Sequence, residues 1–210
     1  MDPRLENLPA GPTPGELPRP RPGALIYVMG PSGAGKDSLI AKAMEANLPN
    51  LTLAPRLVTR NGHLLSPDVY VPTETFTDLE RRGRLALSWA SHGFLYGIDK
   101  SIETLLHQGL SAIVNGSRGY LPEARERFPD LRPVLVTADP ETLKARLEKR
   151  ARENGASIAE RLSRTDDTFN LPHGLYAVID NSGSLQAASE AFIALIRDIL
   201  SHNDTPKKIP

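Results

Sequence analysis

Apolar positions recur along this chain with two spacings. Ala24-Leu25-Ile26-Tyr27-Val28-Met29 is an unbroken apolar, partly β-branched run that predicts a strand. A glycine-rich turn at 30–36 follows it, and then Leu39, Ile40 and Ala43 return at helical spacing, with the helix expected to end near 47–49. Beyond it lies an irregular zone, 50–76, holding one short predicted strand, Arg56-Leu57-Val58-Thr59-Arg60, whose alternation puts Arg56, Val58 and Arg60 on one face. Leu85, Leu87 and Trp89 alternate, Ser91-His92-Gly93 turns, and Phe94, Tyr96 and Ile98 alternate again, which predicts a β-hairpin with one apolar face. Ser101 is the expected cap of a short helix carrying Ile102, Leu105 and Leu106, which Gly109 ends. Ser111-Ala112-Ile113-Val114-Asn115 reads as a parallel strand buried on both faces, so Ser117 and Arg118 emerge at a carboxyl end, where ligands bind in open parallel sheets.

A third apolar run, Val134-Leu135-Val136-Thr137-Ala138, leads into Asp139 as N-cap and Pro140 as first helical residue. The helix predicted over 141–153 has Leu143 and Leu147 as its stripe, with Lys144, Arg146, Lys149, Arg150 and Arg152 around it; a second helix carries Arg161 and Arg164. Tyr176-Ala177-Val178-Ile179 returns as a strand, 180–183 turns, and an amphipathic helix holds Leu185, Phe192, Ile196, Ile199 and Leu200. Strands alternating with helices predict an α/β fold: a parallel central sheet with helices on both faces.

The glycine-rich turn changes this from a fold into a candidate chemistry. Gly30-Pro31-Ser32-Gly33-Ala34-Gly35-Lys36 fits the phosphate-binding pattern G-x-x-x-x-G-K between a strand and a helix, the context the pattern requires. Backbone N–H groups converge on triphosphate oxygens only where the chain curls through conformations glycine tolerates, and the helix adds its positive dipole end. Lys36 adds a mobile full charge for the β and γ phosphates. The next residue is ordinarily Ser or Thr, a magnesium ligand, and here it is Asp37 followed by Ser38. A carboxylate is also a hard oxygen ligand, which makes Asp37 and Ser38 metal candidates; the competing reading leaves Asp37 in solvent and Ser38 as a local cap. Arg56 and Arg60 similarly have two readings, a phosphate site or a solvated strand edge, as does the basic helix pair, a solvated face or a lid over triphosphate.

Composition narrows the partners. With 25 basic and 25 acidic residues the formal charge is zero, so no net field draws the chain to nucleic acid or anionic lipid, and small molecules are the expected partners. No cysteine is present, which excludes disulfides and thiolate chemistry, and five histidines are scattered without ligand spacing. No apolar run reaches membrane-span length, and a cytoplasmic location is the default expectation. Residues 1–22, with Pro3, Pro9, Pro12, Pro14, Pro18, Pro20 and Pro22, are expected to be a disordered leader before a kinase-like domain over 23–202 and a frayed 203–210 tail; a PxxP-type ligand is the alternative use of the leader.

The phosphate loop, Thr59-Arg60, Tyr96-Gly97 on the hairpin, and Arg146-Leu147 with Arg150 and Arg161 resemble the layout of the guanylate kinase family. That resemblance implies a three-layer P-loop NTPase fold with a parallel central sheet, a β-rich acceptor-binding insert near 55–98 and a helical lid near 146–165. It implies that Arg60 and Tyr96 hold the acceptor's phosphate, that Arg150 and Arg161 reach the ATP phosphates, and that Asn181 lies in the turn beside adenine. The chain departs from that family where a guanine-reading acid is expected, continuing Asn61-Gly62-His63-Leu64-Leu65, and again at Asn115-Gly116-Ser117-Arg118.

Gly35-Lys36-Asp37-Ser38, Ala86-Leu87-Ser88-Trp89, Tyr96-Gly97-Ile98 and Val114-Asn115-Gly116-Ser117-Arg118 together resemble a branch of that family, the ribose 1,5-bisphosphate phosphokinases of phosphonate metabolism. The implied reaction moves the γ-phosphoryl of ATP, with Mg2+, to the 1-phosphate of ribose 1,5-bisphosphate, giving 5-phospho-α-D-ribose 1-diphosphate. Lys36, Arg150 and Arg161 would be catalytic; residues 30–38 and Asn181 would bind nucleotide; Arg60, Tyr96 and Arg118 would bind acceptor. Losing an acidic base reader and gaining Arg118 suits a substrate with two phosphates and no base. Two other expectations stand beside it: a nucleoside monophosphate kinase with a different base reader, and a non-catalytic guanylate-kinase-like binding module.

Overall fold

The computed structural model describes residues 22–61, 67–154 and 176–201. Its centre is β1 (Leu25–Met29), whose five side chains are all buried. Strand β1 pairs in parallel with β7 (Ser111–Asn115) on one side and β8 (Arg132–Thr137) on the other. Strands β2 (Leu51–Leu53) and β9 (Ala177–Asp180) complete a five-stranded parallel sheet in the order β2-β7-β1-β8-β9. Of the three inner strands, β1 and β7 are buried throughout, as an unbroken apolar run demands of a strand covered on both faces, whereas β8 buries only Val134 and Val136.

Alternation along β1 sorts the core into two layers. Ile26 and Val28 face helices α1 (Lys36–Glu45), α5 (Pro140–Asn154) and α6 (Leu185–Ser201), meeting Leu39, Ile40, Leu143, Phe192 and Ile196. Leu25, Tyr27 and Met29 face the other way, toward α3 (Ser101–His107) and α4 (Leu121–Arg127), which contribute Ile102, Leu106, Leu121 and Ala124. Trp89 and Ile98 join that same cluster from a second sheet. The second sheet has the order β4-β3-β6-β5, built from β3 (Arg56–Val58), β4 (Val69–Tyr70), β5 (Leu85–Ser91) and β6 (Phe94–Asp99). The expected insert is therefore a four-stranded sheet lying against the central one.

Several elements differ from the expectation for a physical reason. Helix α1 stops at Glu45, ahead of the expected 47–49, and Asn47 takes a left-handed φ of 46° just beyond it. The strand expected over 56–60 ends at Val58, though Thr59 still donates its N–H to Leu95 O. The zone read as irregular, 50–76, contains β2, β4 and the start of α2 (Thr73–Arg81); that helix buries only Phe76, so it has no apolar stripe to read. Ser101 does not cap α3: the Asp99 carboxylate accepts the Ser101 N–H at 2.8 Å. Gly109 does end α3, with φ of 83° and paired bonds Gly109 N to Leu106 O and Leu110 N to Leu105 O. No described helix is long and apolar enough to cross a membrane. Residues 1–21 of the expected leader, the expected second helix with Arg161 and Arg164, and the expected tail lie outside the described residues.

Candidate active site

The loop 30–36 leaves β1 at the carboxyl edge of the sheet and enters α1. Gly30 has φ of 153°, and a Cβ there would stand 2.1 Å from the Val136 carbonyl oxygen, so β8 lies too close for any side chain. Gly35, at φ of 88°, would put a Cβ 2.3 Å from Asn181 Nδ2. These two contacts explain both outer glycines of the motif. No side chain caps the amino end of α1, which leaves its first-turn N–H groups directed at the space over the loop. Lys36 Nζ donates to the Gly30 and Pro31 carbonyls at 2.8 and 3.0 Å, folding the ammonium across the loop.

The loop is held from behind. Asn181, 1% exposed, donates its Nδ2 to Ala34 O at 2.8 Å, and Arg146 Nη2 donates to Asn181 O at 2.9 Å. Asn181 thus reaches under the phosphate loop, and Arg146, on α5, ties the carboxyl end of β9 to it. Asn181 Oδ1 is buried with no partner among the described residues.

In front of the loop, Asn115 at the end of β7 donates Nδ2 to Asp37 Oδ1 at 2.6 Å. Asp37 is half-buried and Ser38 exposed. Past Asn115 the backbone of Gly116 lies against the Tyr27 ring, where a Cβ would fall 2.1 Å from it, so the close approach requires glycine. The Tyr27 hydroxyl then fixes the next residue by accepting the Ser117 N–H and donating to the Ser117 carbonyl, both at 2.9 Å. Burial pushes the Tyr27 phenol well above its ordinary value, against the smaller opposite pull of its bond to Ser117, so it stays protonated. Arg118 opens a short 3-10 turn, Arg118–Tyr120, at the same carboxyl edge.

The second sheet supplies the facing wall. Arg56 makes a bidentate pair with Asp68, Nε to Oδ1 at 2.9 Å and Nη2 to Oδ2 at 2.7 Å, and its Nη1 donates to Asn115 O at 3.3 Å. Its guanidinium lies 5.6 Å from the centre of the Tyr96 ring. Burial alone would weaken the charge, but Asp68, with Asp37 and Tyr96 behind it, outweighs that and raises the Arg56 pKa. Tyr96 stacks on Trp89 at 5.7 Å, and Trp89 stacks on Tyr120 at 5.7 Å. Thr59 Oγ1 accepts the Leu95 N–H at 2.9 Å, locking the chain just before Arg60 to the strand that carries Tyr96. Arg60 Nε is buried with no partner among the described residues.

The structure thus brings Asp37, Asn115, Arg56 and Tyr96 into one continuous set of contacts, beside the Lys36 that precedes Asp37. Arg118 sits at the same sheet edge, and Arg60 follows on from the strand that pairs with Tyr96. It places Arg150 on α5, and Arg161 lies outside the described residues. Sequence reasoning did not assign Arg56, Asn115 or Arg146 to the site. Arg56, on one strand face with Arg60, had the two readings of phosphate site and solvated edge; Arg146 entered through the basic helix and the family resemblance, and Asn115 through the resemblance alone. Among the described residues no three His, Asp or Glu side chains cluster as a metal cage.

A phosphate loop at the carboxyl edge of a parallel sheet, faced by an arginine- and tyrosine-lined β insert, defines the P-loop kinase class. A crystal structure of guanylate kinase from Anaplasma phagocytophilum shares the fold, with a TM-score of 0.59 at 19% identity and 89% of each chain covered. No family model matches the chain. Among curated proteins, ribose 1,5-bisphosphate phosphokinase PhnN of Pseudomonas paraeruginosa is 42% identical over 174 residues, covering 82% of this chain and 94% of the relative. The protein of that name from Thiobacillus denitrificans is 41% identical over 179 residues, covering 84% and 94%. The chain belongs to the ribose 1,5-bisphosphate phosphokinase family.

Proposed function

We propose that the protein transfers the γ-phosphoryl group of ATP to the 1-phosphate of ribose 1,5-bisphosphate, giving 5-phospho-α-D-ribose 1-diphosphate and ADP. One P–O bond to the β-phosphate breaks and one forms to a 1-phosphate oxygen. The acceptor is already anionic, so no general base is required, and the task is to bring two anions together. The observation that carries the reading is the acceptor wall: Arg60, with a buried Nε lacking a partner among the described residues, follows the strand pair that holds Tyr96 beneath Arg56. A buried guanidinium N–H without a partner is a donor that an anionic oxygen satisfies. The names carried by the relatives support the same acceptor.

In this reading the loop N–H groups and Lys36 hold the β and γ phosphates, and Arg60, Tyr96 and Arg118 hold the acceptor. Arg150 and Arg161 complete the charge around the transferring group. Asn181 and Arg146 keep the loop in shape from behind, which gives Asn181 a role in the nucleotide site through Ala34 O. Asp37, with Ser38 beside it, would hold magnesium; the ion when bound neutralises charge between the β and γ phosphates. The donor set fits a hard divalent cation, since Asp37 offers an ionisable carboxylate at the loop's helix start.

The test is a coupled ATP-consumption assay with magnesium, offering ribose 1,5-bisphosphate and GMP separately. Turnover with the sugar bisphosphate alone is the expected result, and turnover with GMP alone would replace the reading with a nucleoside monophosphate kinase. Lys36→Met should remove turnover by at least about a hundredfold while the unfolding midpoint stays near wild type; retained turnover would sink the mechanism.

A further inference from the structure

In P-loop nucleotide-binding proteins the usual magnesium site pairs a Ser or Thr hydroxyl after the loop lysine with a carboxylate at the end of a sheet strand. Here both residue types are exchanged. The helix start carries the carboxylate, Asp37, and the strand end carries a neutral amide, Asn115. The two are in direct contact, Asn115 Nδ2 donating to Asp37 Oδ1 at 2.6 Å. Parallel pairing of β7 with β1 sets Asn115 opposite Val28, two residues before Gly30, so the sheet itself holds the strand end beside the loop. Asn115 is only 9% exposed, and its backbone carbonyl accepts from Arg56 Nη1 at 3.3 Å.

We propose that the metal-holding carboxylate of this kinase has moved from the strand end to the helix start, and that Asn115 is the positioning residue that orients it. The inference rests on the kinase reading above. An ionised carboxylate only accepts hydrogen bonds, so Asn115 must present its NH2 and not its carbonyl to Asp37. The bond to Oδ1 restrains the carboxylate and leaves the lone pairs of Oδ2 for a cation. An aspartate at 115 would set two carboxylates face to face, with the repulsion that implies. A hydroxyl at 37 opposite Asn115 would leave the metal without a charged protein ligand. Of the four combinations, carboxylate with amide and hydroxyl with carboxylate each supply one charge and one partner, and this chain uses the first.

The test measures Mn2+ affinity in the presence of a non-hydrolysable ATP analogue, from the free-ion paramagnetic resonance signal, with nucleotide affinity in EDTA measured in parallel on the full chain. Asn115→Ala should weaken Mn2+ binding about tenfold in the wild-type background and leave it unchanged in the Asp37→Thr background, where no carboxylate is left to orient. Adding Asn115→Asp to Asp37→Thr should recover the Mn2+ affinity that Asp37→Thr lost. Equal weakening by Asn115→Ala in both backgrounds, or no recovery in the double exchange, overturns the proposal. If Asn115→Ala does not fold, the double exchange decides alone. A wild-type protein that binds no nucleotide even in EDTA would overturn the kinase reading, and the proposal with it; a metal defect with metal-free nucleotide binding intact concerns Asn115 alone.

Discussion

Tyr27 sits in the middle of the most buried strand and spends its hydroxyl on both backbone groups of Ser117. Tyr27→Phe leaves those groups in a partly buried place without their partner, and a loss of about 1–3 kcal/mol at neutral pH is expected. The pH dependence carries a second signature. The folded-state pKa is raised above the unfolded value, so Tyr27 contributes its full stability below about pH 10 and loses it as pH rises from there toward the folded pKa. Wild type should therefore weaken in alkali, and Tyr27→Phe should start lower but fall with a shallower slope; denaturant unfolding between pH 7 and 11 measures both. Parallel slopes would mean that the phenol is not the group responsible. Nothing in the sequence separates Tyr27 from its apolar neighbours, because its partner lies ninety positions on. The loop glycines were legible for the opposite reason: strand, turn and helix follow one another within a few residues.

Elements were legible where their signals lie within a few residues. The β5–β6 hairpin has the expected turn, His92-Gly93, with φ of 54° and 77°, the primed-turn geometry that suits strand twist, and its strands pair in register from Leu87 to Ser91. The alternation expected from Leu85 is broken by an irregularity between Leu85 and Leu87, where Ala86 is buried as well. Helix α5 begins as expected, Asp139 accepting the Thr142 N–H at 2.7 Å. That bond, with smaller help from the Thr142 hydroxyl, holds the Asp139 carboxyl below its usual range. Helix α2 was missed because its outer face is charged and it buries only Phe76; tertiary contact makes it, not a stripe. For α3 the signal was present but misassigned by two residues. Burial works against the Asp99 charge, but the Ser101 N–H and hydroxyl outweigh it and lower the Asp99 pKa. Its contribution is thus present above the ordinary carboxylate pKa and lost as pH falls through the depressed one. Asp99→Ala should cost about 1 kcal/mol at pH 7, whereas Ser101→Ala should cost less. Comparing their unfolding midpoints at pH 7 decides which residue caps the helix, and the difference should shrink in acid.

At the scale of the molecule, the question is how two sheets are held so that donor and acceptor meet, and Arg56 answers it. The side chain leaves the insert, pairs with Asp68, lies over Tyr96 and touches the carbonyl of Asn115 at the edge of the central sheet. Arg56 and Asp68 side chains are 15% and 5% exposed, so neither charge is screened by water as a surface pair would be. Arg56→Met strands the Asp68 carboxylate and should cost about 3–5 kcal/mol. Adding Asp68→Leu removes the stranded charge and should recover most of that stability, because an apolar pair of similar volume can replace a buried ion pair at little net cost. Turnover should not recover with it. The double variant keeps the two sheets packed through Trp89 and Ile98 but loses the guanidinium that fixes Asn115 and Tyr96 against each other, and a loss of about a hundredfold in kcat/KM follows from misplacement alone. Unfolding midpoints and turnover on the same preparations separate the two effects. A double variant that is stable and fully active would make Arg56 a packing residue only, and the register of donor and acceptor sites would then have to come from the shared apolar cluster beneath them.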